Sequence, residues 1–325
     1  MKVLSLFSGI GAYEKALKNI GIEFELINYC DFDKRKSKAY ALLHNEPESK
    51  NLVDVTTIDL SKLDDFDLLV YSPPCTSFSI SGKRDGVEGV TGGLFYDALK
   101  VIEGKKPKYA VMENVDNLVN NFRETFDDML NRLEKLGYNN YWKIINAKDF
   151  IPQNRKRVYI VSIRKDIDIN NFEFPIGNDK RHWTNIIDPL ECRGITSSQQ
   201  KFINYALGKD NGQPYKFEGM VQFDCAVITL RRSGLRFQNN REYPTLTASY
   251  GKGGGGFTIM AYKGHYGGIK PRQCFKLMGF DYSDCDILEQ NGFSTSALYV
   301  MAGDSVVVPV LEGIFKNLFK TTKIN

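Results

Sequence analysis

The chain has 325 residues, 42% of them hydrophobic and 25% charged, with a formal net charge of +4. That length supports a large core, expected as one big domain and a smaller one, and the composition is that of a globular protein. No apolar run approaches the about 18 residues of a membrane helix, and the opening MKVLSLFSGIG has no signal-peptide pattern, so neither membrane insertion nor secretion is expected.

In chain order, six apolar runs read as strands: KVLSLF (2–7), FELINYC (24–30), DLLVYS (67–72), KYAVMEN (108–114), YWKIINA (141–147) and RVYIVSIR (157–164). Between them AYEKALKNIG (12–21), KRKSKAYALLHN (34–45), FYDALKVIEGKK (95–106) and FRETFDDMLNRLEKLG (122–137) carry helical spacing, two of them closing on glycine. Strand–helix alternation predicts an α/β fold with a doubly wound, mostly parallel sheet, whose ligands bind beyond the carboxyl ends of the strands. Gly9, Gly11, Cys75 and Glu113 all fall at that edge. After about residue 190 the pattern changes. The stretch 250–268 holds eight glycines in nineteen positions, with short strand candidates such as CAVITLRR (225–232) around it. From about 292 helical patterning returns in STSALYVMAG and PVLEGIFKNLFK. The expected organisation is a large domain, 1–190 plus 292–325, interrupted by a smaller one at 191–275, with 276–291 as a hinge.

Charge follows the same division. Residues 197–272 hold eleven Lys or Arg and four Asp or Glu, so the whole positive excess lies in one quarter of the chain. Such a segment is either a solvated basic face or a surface for a polyanion; its place beside the glycine-rich loop favours the polyanion. The six cysteines (30, 75, 192, 225, 274, 285) form no C-x-x-C and have no histidine at zinc spacing. Neither a disulfide framework nor a metal site is expected, and a reducing cytoplasm is the natural setting.

Two ends of a candidate site emerge. At the first, LFSGIGAYEKAL (6–17) is a strand, a glycine turn and a helix start. Its glycines serve either a tight turn or close approach to a ligand. A dinucleotide fingerprint wants a third glycine where Glu14 stands, which disfavours NAD and leaves a nucleoside without pyrophosphate open. CDFDK (30–34) and VDV (53–55) add Asp31, Phe32 and Asp54 after strands, either as turn residues or as ribose and base contacts. At the second end, Pro73 and Pro74 stop a strand and present Cys75 on a stiff loop followed by small hydroxyl residues. VMENV (111–115) sets Glu113 on a buried-looking strand, where a carboxylate needs a partner or a task. IPQNRKRVYIV (151–161) leads Arg155 and Arg157 into a strand, and alternation puts both on one face. A phosphatase loop is excluded because Ser81 stands where its arginine belongs, and His44, His182 and His265 have no protease-like setting. A thiolate working with a carboxylate and arginines beside a nucleoside remains.

The ordered set LFSGIG, PPCTSFS, ENV, QNRKR and GDSV resembles the DNA cytosine methyltransferase family that modifies carbon 5, over nearly the whole chain; SISGK, YPTLTASYGKGGGG and PRQCFKLMGF extend the likeness. The resemblance implies the fold of S-adenosylmethionine-dependent methyltransferases with a smaller, irregular β-rich target-recognition domain at 191–275. It implies transfer of a methyl group from S-adenosylmethionine to a flipped-out cytosine in double-stranded DNA. By the same likeness Cys75 is the nucleophile, Glu113 holds the base edge, and Arg157 with Arg155 steadies it. Phe7, Gly9, Ile10, Gly11, Asp31, Phe32, Asp54, Val55, Pro74, Leu94, Asp304 and Ser305 line the cofactor pocket. Thr76, Ser79, Ser81, Lys83, Arg231 and Arg232 face nucleic acid. A cytoplasmic, DNA-associated monomer of bacterial or phage origin without a metal is implied, with a restriction–modification setting. Rival readings are a cytosine methyltransferase acting on RNA, a non-catalytic DNA-binding module and a nicotinamide enzyme. The sequence departs from the family pattern at Thr76 in place of Gln, Asp31 in place of Glu, Ala12 in place of Gly and Asp304 in place of Asn.

Overall fold

The structure, a computed structural model, describes residues 1–74, 93–168, 171–197, 201, 225–231, 234–238, 240–250, 258–263 and 265–321. Cys75, Thr76, Ser79, Ser81, Lys83 and Arg232 lie outside the described residues, as does the side chain of Arg231. The chain divides into two compact units: 1–147, 156–177 and 305–325 in the first, 148–155 and 178–304 in the second. These boundaries differ from the expected ones at 190/191, 275/276 and 291/292.

The first unit runs β1 (Lys2–Leu6), α1 (Ala12–Asn19), β2 (Glu25–Cys30), α2 (Lys34–His44), β3 (Leu68–Tyr71), α3 (Leu94–Lys105), β4 (Tyr109–Val115), α4 (Asn117–Asn121), α5 (Arg123–Lys135) and β5 (Tyr138–Asn146). β6 (Gln153–Asn154) belongs to the second unit, after which β7 (Lys156–Arg164) returns to the first. The sheet order is β2-β1-β3-β4-β7-β5. β2, β1, β3 and β4 pair in parallel, while β7 runs antiparallel to both β4 and β5. The α/β, mostly parallel expectation thus holds, with one reversed strand that the sequence reading did not single out.

Strand parity explains the packing. Leu4, Leu6, Leu69, Tyr71, Ala110, Met112, Val158 and Ile160 are alternate residues sharing one face, and they pack with Phe95, Ala98 and Ile102 of α3 and Phe126 and Met129 of α5. The intervening Val3, Leu68, Val70 and Val111 are fully buried too, so both faces are covered, as a parallel sheet requires. On that second face Tyr109 meets Phe319 of α9 (Val308–Thr321) edge-on, with ring centroids 5.7 Å apart. Tyr13 of α1 lies 6.4 Å from Phe315 of the same helix, and Asn19 donates to Glu312 at 2.7 Å. Residues 308–321 thus pack within the first unit, and 292–304 belong to the second.

In the second unit β8 (Cys192–Arg193), β9 (Cys225–Arg231), β10 (Gly234–Gln238), β12 (Thr258–Tyr262) and β13 (His265–Ile269) form a sheet in the order β10-β9-β12-β13-β8. β11 (Tyr243–Pro244) pairs in parallel with β6. Helices α6 (Pro271–Leu277), α7 (Tyr282–Gln290) and α8 (Thr295–Asp304) follow. The stretch Thr295–Lys320, spanning α8 and α9, is apolar and long enough by composition to cross a membrane, contrary to the sequence reading. Its most apolar window is 72% buried, which is the behaviour of core helices.

Candidate active site

At the carboxyl ends of β1 and β2 the backbone turns sharply and is held by side chains. Phe7, Gly9 and Gly11 have φ of 55°, 57° and 78°, and Gly11 N–H donates to the Ser8 carbonyl at 2.9 Å. The two glycines differ in purpose. A Cβ on Gly9 would meet nothing within 4 Å, so open space lies beside it. A Cβ on Gly11 would come 1.9 Å from His44 Nε2. His44 is buried, with Nε2 3.1 Å from the Ile10 carbonyl and Nδ1 3.3 Å from Lys18 Nζ. The carbonyl needs a donor and the ammonium needs an acceptor, which assigns the Nε2–H tautomer. Burial, with Lys18 and Lys15 nearby, pushes its pKa down to about 3, so the ring is neutral. Ile10 itself is buried and offers its backbone to the turn. At the missing third glycine, Glu14 lies buried in α1; burial raises its carboxyl above the usual range, a shift that Ser5 and Tyr40 oppose.

Asp31 receives Gly9 N–H on Oδ2 at 2.8 Å and Asp33 N–H on Oδ1 at 2.9 Å. Each oxygen keeps a lone pair for another donor. Burial raises its pKa, against Lys36 and those two N–H groups. Phe32 next to it is 76% exposed, a large aromatic left uncovered at the strand end. Asn51 uses its full hydrogen-bonding capacity here: Oδ1 accepts from Asp31 N–H at 3.0 Å and Val53 N–H at 2.9 Å, and Nδ2 donates to the Asp31 carbonyl at 3.0 Å and Ser37 Oγ at 2.8 Å. Asp54 Oδ1 is occupied locally by Thr56 N–H and Oγ1, at 2.9 and 2.8 Å, and Val55 is buried. Ser8 Oγ also stitches this edge, contacting the Ser5 and Cys30 carbonyls and accepting from Cys30 N–H at 3.1 Å.

The second edge carries charge. Glu113 is buried on β4, and Arg157 Nε lies 3.1 Å from its Oε1. In the β4–β7 register Glu113 faces Tyr159, so Arg157 is the diagonal neighbour two residues along on the same face. A buried carboxylate is costly alone, and this guanidinium supplies its counter-charge. Asn114 donates from Nδ2 to the Pro73 carbonyl at 3.2 Å, and Tyr13 lies with its hydroxyl 2.9 Å from Ser72 Oγ and 3.2 Å from the Tyr71 carbonyl. The short segment 71–73 is therefore held from two sides, immediately before Pro74 and position 75. Leu94 opens α3 and packs on the core.

Arg155 precedes β7, which begins at Lys156. It belongs to the second unit, where it is buried and donates from Nη1 to the Leu246 carbonyl at 2.7 Å and from Nη2 to the Gly303 carbonyl at 3.2 Å. A Cβ on Gly303 would lie 2.3 Å from the Thr247 backbone, so this contact requires glycine. Asp304 closes α8 as an exposed residue of the second unit, and Ser305 is buried in the first. Among the described residues no three His, Cys, Asp or Glu side chains are grouped to hold a metal. The sequence reading missed Ser8, Tyr13, His44, Asn51 and Asn114. Ser8, Tyr13 and Asn114 had a signal, as neighbours of residues already singled out; His44 and Asn51 are distant in sequence from what they hold.

Comparison with known proteins identifies the family. The family profile of C-5 cytosine-specific DNA methylase matches residues 1–320. The chain is 32% identical to the type II methyltransferase M.Bsp6I of Bacillus sp. (strain RFL6), with 99% of each chain covered. It is 30% identical to the orphan methyltransferase M.SPRI of Bacillus phage SPR, covering 99% of this chain and 98% of that one. Its fold is similar to that of the Entamoeba histolytica methyltransferase EhMeth, with TM-score 0.72, 18% identity, and 99% and 98% of the chains covered. With a profile spanning almost its full length and such relatives aligned end to end, the chain belongs to the C-5 cytosine-specific DNA methylases and is a DNA (cytosine-5-)-methyltransferase.

Proposed function

We propose that the chain methylates carbon 5 of a cytosine flipped out of a specific double-stranded DNA sequence, with Cys75 as covalent nucleophile and S-adenosylmethionine as methyl donor. The observation that carries the reading is the buried Glu113–Arg157 pair, whose neighbour Asn114 holds the Pro73 carbonyl two residues before Cys75.

Carbon 5 of cytosine is a poor nucleophile. Addition of the Cys75 thiolate to carbon 6 moves electron density onto carbon 5. Glu113 holds N3 and the 4-amino group, and a proton at N3 favours that addition. Arg157 keeps the carboxylate in place and reaches the cytosine carbonyl; Arg155 serves from its own unit. S-adenosylmethionine supplies an electrophilic methyl group when bound. Loss of the carbon-5 proton and of the thiolate then restores the ring. A stacked base cannot be reached by these groups, so extrusion is part of the reading.

The residues at the first edge fit the cofactor. Open space beside Gly9 lets a ligand approach the backbone, exposed Phe32 offers a face to adenine, and Asp31 has lone pairs left for ribose hydroxyls. Phe7, Ile10, Gly11, Asp54, Val55, Pro74, Leu94, Asp304 and Ser305 complete the assigned pocket. Residues 191–275 are assigned to DNA reading, with Thr76, Ser79, Ser81, Lys83, Arg231 and Arg232 towards DNA and 276–291 as the hinge. The protein acts as a monomer in a bacterial or phage-infected cytoplasm.

The test is trapping with duplex DNA carrying 5-fluorocytosine. Once the methyl group is transferred, fluorine cannot leave as a proton does, so an adduct with intact protein and S-adenosylmethionine is expected. Cys75→Ser forms none while still binding S-adenosylmethionine. The recognition sequence comes first from bisulfite sequencing of DNA from expressing cells; no adduct on that sequence overturns the proposal.

A further inference from the structure

Val53 is the least comfortable residue at the first edge. It is β-branched yet has φ of 63°, and Asp54 N–H donates back to the Leu52 carbonyl at 2.8 Å across it. That bond closes a three-residue turn in its positive-φ form, which is rare and strained even for an unbranched residue. Glycine would adopt this turn without penalty. The strain is held by several contacts. Leu52 N–H donates to the Tyr29 carbonyl at 2.8 Å, Tyr29 and Asn51 form a parallel bridge, and Asn51 Oδ1 gathers the N–H groups of both Val53 and Asp31. That shared acceptor brings the Val53 backbone N–H close to that of Asp31, with Phe32 next in sequence. The Val53 side chain gains little burial in return, being 46% exposed. A strained residue whose side chain adds little to the core points to use of that side chain by a ligand.

We infer that Val53 is an apolar contact for the purine of the cofactor, and that Asn51 is a positioning residue that holds it in its strained turn beside Asp31 and Phe32. The inference rests on the proposed cofactor reading and extends it to a residue that the motif-by-motif assignment leaves out.

The test combines calorimetric binding of S-adenosylmethionine with thermal unfolding, on the full chain and its Val53→Gly, Asn51→Ala and double variants. Val53→Gly removes strain and an apolar contact together. The expected result is a thermal midpoint at or above that of the parent, with binding weakened about fivefold, the scale of one partly buried aliphatic side chain. Asn51→Ala weakens binding as well, and in the double variant the two losses are less than multiplicative, because Asn51 acts through Val53. Val53→Gly binding as tightly as the parent overturns the inference and leaves the cofactor reading intact. Fully multiplicative losses overturn the positioning role of Asn51. A parent chain that does not bind S-adenosylmethionine overturns the cofactor reading and this inference with it.

Discussion

The two edges of the site are built by opposite means. Where β1 and β2 end, shape is set by neutral or locally satisfied groups: left-handed glycines, a neutral His44, a saturated Asn51 and a Ser8 hydroxyl shared among backbone groups. Where β4 ends and β7 begins, the organising element is one buried pair of full charges, Glu113 and Arg157. A surface that recognises a ligand by fit needs its backbone immobile, whereas a surface that assists proton and electron movement needs charge aimed at one point. Damage to the first should therefore appear as lost folding or cofactor affinity, and damage to the second as lost rate.

The largest separation is expected at Glu113. Glu113→Gln keeps shape and should lower kcat by about 10²–10⁴-fold with little change in S-adenosylmethionine affinity. Arg157→Ala strands the carboxylate and should also cost about 3 kcal/mol of stability, read by denaturant unfolding. A Glu113→Gln enzyme with parental turnover would break the contrast.

Next come the two glycines. Gly9→Ala should cost about 1–2 kcal/mol, the penalty of positive φ alone. Gly11→Ala adds collision with the His44 ring and should cost at least about 3 kcal/mol, with a proportionate fall in soluble, folded protein. Equal costs would show that His44 yields freely.

The least local effect is a slope with pH. The folded imidazole of His44 titrates at about 3 against 6.5 unperturbed. Above about pH 6.5 both states hold it neutral. Between 6.5 and 3 the unfolded chain binds a proton that the folded one refuses, so stability falls as pH falls, by up to about 5 kcal/mol. His44→Gln, which can still donate to Ile10 and accept from Lys18, should flatten that part of the profile in unfolding measured from pH 7 to 4.

Periodicity made the sheet legible: β1 to β4 and β7 each lie within or close to their expected runs, because buried strands leave apolar runs of characteristic length. Helix α2 was equally readable, with Asp33 capping its start through Arg35 N–H and Asn45 taking the left-handed position after its end. The reversal of β7 was readable in principle, since only nine residues, 147–155, separate it from β5, too few for a helical crossover. The pairing of Arg157 with Glu113 depends on that reversal, which brings the start of β7 beside the end of β4. The assignment of Arg155 to the second unit was not readable, because alternation describes one continuous strand, and here β7 begins at Lys156. His44 and Asn51 stayed hidden for another reason: most of what they hold at this edge is backbone carbonyl and amide groups, which no sequence pattern marks.

The diagonal placement of Arg157 against Glu113 also constrains how this gene can change in length. One codon gained or lost inside β4 or β7, between the pair and the hydrogen-bonded rungs that fix them, would rotate one partner to the opposite side of the sheet and leave an acid facing hydrocarbon. Insertions and deletions among natural variants should accordingly avoid 109–115 and 156–164 and accumulate beyond those rungs, making the reading frame of two strands a record of the chemistry they frame.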